Sequence, residues 1–508
     1  SFWKHIDARS ETCLGQKCPE FEPCFITRMR QRACDADIVI VNHHLFFADL
    51  ALRRDNGDYG GVLPEYAAVV FDEAHLIEDI AADYFGASIS SYQIDELIRD
   101  IGNLTLTNVA LNRDLTKLSA RIVTFADRFW LGFQSQHRQE GRFPLNPQTF
   151  RIEKKDKVEI TPLGEYFIAL DTSLERIESS MNAMKDAPPE VENLVRRTRQ
   201  IRFDLDFICS GDDKKFVYWI ERRGRGTFLH ASPIDVSGLL QDRLFDTTET
   251  VILTSATLSS NGKFGFIKER LGLDDEKTDD LIAPTSFDYQ KQAILYLPKN
   301  MPDPRNFDYT KSAAEEIIKL LQITHGRAFI LSTSNAAMNA LYEIVSARVD
   351  FPCFVQGTMS KAGLLDKFRR AKNPVLFATS SFWQGVDVRG EQLSCVVIDK
   401  LPFAVPSDPI VAARQRYIDD NGGASFFEYS VPNAVITLKQ GIGRLIRSAT
   451  DKGVLAILDP RLTTKGYGKV FINSLPKMKV TSNLQDVSQV FSDEKVLSIQ
   501  NPKSKIPN

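Results

Sequence analysis

Short apolar runs rich in β-branched residues alternate along the chain with longer segments of helical periodicity. The runs are Ile38–Val41, Val69–Phe71, Val251–Leu253, Ala328–Leu331, Val375–Ala378, Cys395–Ile398 and Val454–Leu458. An apolar run bounded by turn residues predicts a buried strand, and strands separated by helices predict a parallel sheet. Helices are predicted at Tyr92–Ile101, Leu115–Phe133, Leu174–Met184, Val191–Phe207 and Ala313–Leu321. Residues 86–226 carry the helical period and no recognisable catalytic motif, so they read as a helical insertion, a lid or arch, within a first α/β unit. A second α/β unit is expected from about residue 291 to 478, followed by a weakly packed polar tail.

Composition adds boundaries to this pattern. The 508 residues suggest about three or four domains. With 43% hydrophobic and 25% charged residues, the chain has material for globular cores. It holds no run of 18 apolar residues, so no membrane span is predicted. Residue 1 is Ser and no signal peptide opens the chain, which sets cytoplasmic localisation as the expectation. A net charge of −3 neither favours nor excludes nucleic acid, because a binding groove needs only local positive charge.

Candidate chemistry sits at the ends of the predicted strands. Val69-Val70-Phe71 runs into Asp72-Glu73-Ala74-His75. In open α/β sheets, ligands bind just past the carboxyl ends of strands. Two carboxylates there fit a Walker B strand, one holding Mg²⁺ and the other polarising the attacking water. An acid-capped helix start is the competing reading of the same four letters. Thr254-Ser255-Ala256-Thr257 places hydroxyls at another strand end, suited either to a hydrogen-bonded relay or to a plain turn. Gln440, Arg444 and Arg447 recur at helical spacing and so can address one anion from a single face. Cys13, Cys18 and Cys24, with Cys34 further on, crowd the first 34 residues around Pro19 and Pro23. Clustered thiols without a zinc-finger Cys-x2-Cys tilt the reading toward an iron–sulfur cluster, although reduced, unligated thiols remain open. Cys209, Cys353 and Cys395 read as buried small hydrophobes. His43-His44, after the first predicted strand, read as structural.

Taken in order, the motifs resemble the DinG/XPD-type iron–sulfur helicases of superfamily 2, most closely the bacterial DinG/YoaA-like branch. The set comprises the cysteines, Ile38–Asn42 with His43, Asp72–His75, Thr254–Thr257, Trp383-Gln384-Gly385-Val386-Asp387 and Gln440–Arg447. The resemblance implies an α/β fold of two RecA-like parallel-sheet motor domains, the first interrupted by an iron–sulfur insert and a helical arch-like insert. On it, residues 1–37 are the cluster segment and 38–85 the first motor domain with its DEAH box. Residues 86–226 are then the arch, 227–290 the rest of that motor domain, 291–478 the second motor domain and 479–508 the tail. It implies ATP, Mg²⁺ and a 4Fe-4S cluster as cofactors. It also implies 5′→3′ movement on single-stranded DNA, action on a DNA duplex with a 5′ tail, extension to DNA–RNA hybrids, and work as a monomer in repair or replication conflicts.

By the same resemblance, Asp72 holds Mg²⁺, Glu73 activates water and His75 couples the site to the second motor domain. Gln440, Arg444 and Arg447 approach the phosphates across the cleft, with Arg444 as arginine finger. Gly385 and Asp387 sense nucleotide and nucleic acid, and Cys13, Cys18 and Cys24 ligate the cluster.

Two features depart from the family pattern. There is no Gly-x-x-x-x-Gly-Lys-[Ser/Thr], since Gly466-Tyr467-Gly468-Lys469-Val470 lacks both the spacing and the hydroxyl. The first cluster cysteine is also missing unless Cys34 replaces it. Both absences, like the missing initial Met, are expected if a further segment precedes Ser1. On that reading the 508 residues alone hydrolyse no ATP, because phosphoryl transfer needs the P-loop cradle. A single-strand nucleic-acid-binding module without ATPase activity is the alternative function.

Overall fold

The computed structural model describes residues 13–55, 61–104, 109–154, 157–185, 187–379, 382, 392–443 and 445–499. The first α/β unit is built around strand β1 (Ala68–Phe71). Four more strands belong to the inserted region: β2 (Ala87–Ser90), β3 (Gly141–Pro144), β4 (Arg151–Lys154) and β5 (Lys157–Ile160). Two long strands, β6 (Phe216–Arg223) and β7 (Gly226–Pro233), precede β8 (Thr250–Leu253). β1 and β8 pair in parallel, Val70 opposite Ile252, as a two-stranded sheet. One face, with Val69, Phe71, Val251 and Leu253, packs onto Phe46, Phe47, Ile77, Leu240 and Leu271.

The opposite face is bare among the described residues. Val70 is 64% and Ile252 46% exposed, so these two strands are half-buried and not the buried strands the sequence predicts. Ile38–Val41 corrects the expectation further, because it lies in no strand and Ile38 and Ile40 are exposed. A β-branched run becomes a strand only by pairing, and among the described residues nothing pairs with it. His43 and His44 therefore do not extend a strand. They open helix α2 (His43–Asp55), which follows α1 (Phe25–Cys34), and lie beside the rings of Phe71 and Tyr84.

The inserted region is helical as expected: α4 (Ser91–Gly102), α5 (Val109–Gln136), α6 (Pro162–Asn182) and α7 (Pro189–Ser210) follow α3 (Ile77–Tyr84). Their starts are written locally. Ser90 and Gln93 close a capping box, and Thr161 caps α6 ahead of Pro162. Gly211, at φ 60, ends α7 in the left-handed conformation that glycine adopts without a Cβ penalty. The insertion also contains an antiparallel sheet, β2-β7-β6-β3, which the helical reading of residues 86–226 leaves out. Its long strands bury Tyr218, Ile220, Leu229 and Ala231 against the helices. Because β7 runs past residue 226, this sheet straddles the expected boundary between arch and motor domain.

The second unit is a seven-stranded, wholly parallel sheet in the order β11-β12-β10-β13-β14-β9-β15. Its strands are β9 (Ala293–Tyr296), β10 (Ala328–Ser332), β11 (Cys353–Val355), β12 (Val375–Thr379), β13 (Cys395–Ile398), β14 (Gly453–Ile457) and β15 (Lys479–Thr481). Helices cover both faces, which is why its strands read as unbroken apolar runs. Here α8 denotes Gly265–Leu271 of the first unit. In the second unit come α9 (Tyr309–Thr324), α10 (Asn335–Ser346), α11 (Lys361–Arg370), α12 (Pro409–Asp420), α13 (Val431–Ile442), α14 (Gly468–Ser474) and α15 (Leu484–Ile499). The segment after residue 479 is not a loose tail up to that point. β15 extends the sheet, and Val487 and Phe491 enter the core beside α9. Cys209 and Cys395 are buried as expected, while Cys353 is only partly so.

Candidate active site

Asp72 and Glu73 follow β1 directly, and Thr254 and Ser255 follow β8. The parallel register sets these two strand ends side by side. Thr254 N–H donates to the Phe71 carbonyl (2.8 Å) and Ala74 N–H to the Thr254 carbonyl (3.0 Å), stitching the loops together. Glu73 sits at φ 51, ψ 45, a conformation costly for a residue with a Cβ. Its amide donates to Asp72 Oδ1 (2.9 Å), which holds the Asp72 carboxylate against the Glu73 backbone.

A hydrogen-bond chain then runs inward from Glu73. Ser255 Oγ–H donates to Glu73 Oε2 (2.8 Å), and Ser255 Oγ lies 3.2 Å from His75 Nδ1. Since the serine proton is spent on the carboxylate, the serine oxygen accepts from His75 Nδ1–H, which assigns that tautomer. Burial holds the His75 pKa below its ordinary value, against the opposing pull of Glu73, so the ring is neutral at pH 7. Thr257 Oγ1 closes the cluster, 3.0 Å from Ser255 Oγ and 3.4 Å from His75 Nδ1. Ser255 Oγ also accepts from Thr257 N–H (3.2 Å), so the hydroxyls make both a turn and a side-chain chain to Glu73 and His75.

The second unit reaches the same corner through α13. Lys439 Nζ donates to the Ser259 carbonyl (2.9 Å) and lies 3.2 Å from Ser259 Oγ. Asn261 N–H donates to Ser474 Oγ of α14 (2.8 Å). Gln440, next to Lys439, is half-buried on α13. Gln440 and Arg447 do not share one helical face, because α13 ends at Ile442 with Gly443 as its cap. Arg447 lies in the loop beyond, whose amides at Arg447 and Ser448 both donate to Asp451 Oδ2 (2.8 and 2.9 Å). Arg444, Gly385 and Asp387 fall outside the described residues.

The cysteine segment lies elsewhere. Cys13, Cys18 and Cys24 flank a short turn at Gly15–Lys17, and Cys34 ends α1. Lys17 Nζ donates to Glu192 (2.5 Å) and Asn193 Nδ2 to the Cys13 carbonyl (3.2 Å), docking the segment on α7. The amides of Thr27 and Ile26 at the start of α1 pull the Cys24 thiol below its ordinary pKa, which favours a ligating thiolate. Among the described residues no three His, Cys, Asp or Glu side chains converge in a way that would hold a metal ion. The donor chemistry thus fits a cluster, whereas the side-chain arrangement does not display one.

Comparison with known proteins decides the family. The chain is 36% identical over 488 residues to the ATP-dependent DNA helicase YoaA of Escherichia coli, covering 95% of this chain and 73% of that protein. The family is thereby shown. The chain belongs to the YoaA/DinG helicase family. The Haemophilus influenzae YoaA helicase is 33% identical over 489 residues, with 96% and 74% coverage. The ATP-dependent helicase DinG of Mycobacterium tuberculosis is 31% identical over 492 residues, with 96% and 70% coverage. The model of the helicase C-terminal domain matches residues 317–478. A solved structure of S. tokodaii Xpd4 superposes with a TM-score of 0.53 at 15% identity, covering 86% of this chain and 81% of that one. At that identity the likeness speaks for the fold alone: two RecA-like α/β units with insertions, the architecture of the YoaA/DinG family member described above.

No helix among the described residues is long and apolar enough to cross a membrane. Three contacts around the site have a weak signature in the sequence or none. They are Lys439 on Ser259, Asp451 beneath the Arg447 loop, and the pairing of Glu78 and Asp79 with Arg414. Each joins residues whose proximity depends on how loops and units pack, and only the Arg447–Asp451 spacing hints at a loop closed by its own acid.

Proposed function

We propose that this protein is an ATP-dependent DNA helicase whose hydrolytic centre is Asp72–Glu73, with Gln440, Arg444 and Arg447 acting from the second motor domain. The observation that carries this is the chain Glu73–Ser255–His75 at the junction of β1 and β8, with Lys439 of α13 fastened to the following loop. A carboxylate anchored on one oxygen at the end of a parallel strand is placed to orient and deprotonate a water. The neutral His75 ring has Nε2 buried without a hydrogen-bond partner among the described residues, which leaves it free to respond when the corner repacks. Asp72 would hold the Mg²⁺, which supplies charge neutralisation on the transferring phosphoryl group. Gly385 and Asp387 would sense nucleotide and nucleic acid. Single-stranded DNA is the track, moved 5′→3′, and duplexes with 5′ tails, including DNA–RNA hybrids, are the substrates. Direction, a role in repair or replication conflicts, cytoplasmic location and monomeric action all follow the family reading.

The test is phosphate release by a polypeptide in which a P-loop precedes these residues. Single-stranded DNA should stimulate turnover, and the stimulation should weaken steeply with salt because phosphate contacts release counterions. Turnover indifferent to DNA at low salt would count against the reading.

Cys13, Cys18 and Cys24 would hold the cluster, which supplies a rigid knot in a loop with little core of its own. Substituting Cys18→Ser is expected to bleach the broad visible absorbance of anaerobically purified protein and to lower its iron content. Iron held at the wild-type level would remove Cys18 from the ligand set.

A further inference from the structure

Helix α3 begins immediately beyond the His75 turn, and its first turn carries Glu78 and Asp79. Both acids engage Arg414, on α12 of the second motor domain, which is only 3% exposed. Arg414 Nη1 donates to Asp79 Oδ1 (2.8 Å) and to Tyr429 Oη (3.3 Å). Its Nε is 3.0 Å from Glu78 Oε1, within ion-pair distance, yet makes no hydrogen bond there. That oxygen already accepts from Arg270 of α8, through Nε (3.1 Å) and Nη2 (2.5 Å). Arg270 also lies over the Tyr429 ring, 5.5 Å from its centre. Arg414 Nη2 is buried with no protein acceptor among the described residues. Two buried arginines therefore compete for one carboxylate oxygen, and one of them keeps an unspent donor.

Such an arrangement is a poor way to obtain stability, since well-packed apolar groups do as well as buried ion pairs. It is a good way to make two bodies exchange between discrete pairings. The same helix has a second attachment. Asp408 caps α12 with Oδ1, while its Oδ2 lies 3.4 Å from Arg142 Nη1 on β3 of the inserted sheet. Arg142 in turn stacks over Trp219, 4.8 Å from the ring centre. One helix thus touches the element that follows the DEAH box and the sheet of the insertion.

We propose that Arg414 is a positioning residue that couples the DEAH box to the second motor domain and the inserted sheet, acting through Glu78 and Asp79. This rests on the ATPase reading above. When the DEAH box changes with nucleotide state, α3 shifts its acids between Arg270 and Arg414, and α12 carries the change to β3. Losing Arg414 should leave hydrolysis running but disconnect it from strand separation.

The experiment measures duplex separated per ATP hydrolysed, on tailed DNA, with the P-loop present in the chain. Asp79→Ala removes the exposed arm and leaves buried Arg414 to share Glu78 with Arg270. Arg414→Lys keeps the charge but cannot serve both acids in fork geometry. Both are expected to lower the coupling ratio about tenfold while kcat for single-strand-stimulated hydrolysis stays within about threefold, the range of an ordinary coupling term. A wild-type ratio in both variants overturns the proposal, whatever happens to turnover. Glu73→Gln, run in parallel, reports on the hydrolytic assignment separately: full turnover there would sink that assignment and leave the measured ratios to be judged on their own.

Discussion

Glu73→Gln should bind ATP normally and turn it over ~10²–10⁴-fold more slowly, the usual loss when a positioned base is removed. The substitution is close to isosteric. The amide oxygen still accepts from Ser255, so the chain to His75 survives and the loop keeps its shape. What disappears is the ability to take a proton from water. Glu73 is about half exposed, with a side-chain exposure of 47%, so it faces the open cleft and not the core. Its loss should therefore leave folding intact. The left-handed backbone at Glu73 points to function as well, because a strained conformation at a strand end persists only where the surroundings enforce it. Nucleotide binding by filter or fluorescence assay, set beside single-turnover phosphate release, separates the two effects. Near-normal DNA-stimulated turnover in Glu73→Gln would contradict the assignment.

Arg444→Ala is the larger expected loss, ~10³–10⁵-fold in kcat, because an arginine finger stabilises charge that exists only in the transition state. Arg444 itself lies outside the described residues, but both its flanks are anchored. On one side α13 ends at Ile442, three residues after Lys439 fastens to Ser259. On the other, Asp451 grips the amides of Arg447 and Ser448. Lysine should rescue little, since it cannot reproduce the planar fork. ATP affinity should change far less than kcat. A kcat within about tenfold of wild type would remove Arg444 from the transition state.

Much of the second motor domain was legible because its strands are buried on both faces. A run such as Cys395–Ile398 has no other way to hide its side chains, and it appears in the structure with those bounds. The first motor domain misled for the converse reason. Val69–Phe71 and Val251–Leu253 look like the same kind of run, yet among the described residues their sheet is covered on one face only, and Ile38–Val41 finds no partner. Apolar runs report a tendency to be buried, not the presence of the neighbour that buries them.

The inserted sheet escaped notice because its strands alternate weakly and lie between strong helical periods. The acid pair Asp72–Glu73 and the hydroxyls at Thr254–Thr257 were readable as types at strand ends. Their union through Ser255 depends on the parallel register of β1 and β8, which no spacing encodes. Arg414 was invisible for the same reason: nothing near residue 414 in the sequence points to acids more than three hundred positions earlier.

The most direct test of the whole account is strand separation on tailed duplexes, using a polypeptide with a P-loop ahead of these residues. Three otherwise identical DNA duplexes, with a 5′ single-stranded tail, a 3′ tail or blunt ends, are incubated with ATP and Mg²⁺. The displaced strand is followed over time in wild type and Glu73→Gln. The account predicts ATP-dependent separation of the 5′-tailed duplex only, abolished by Glu73→Gln. Separation of blunt or 3′-tailed duplexes alone, or separation that proceeds without ATP or without Glu73, would contradict it.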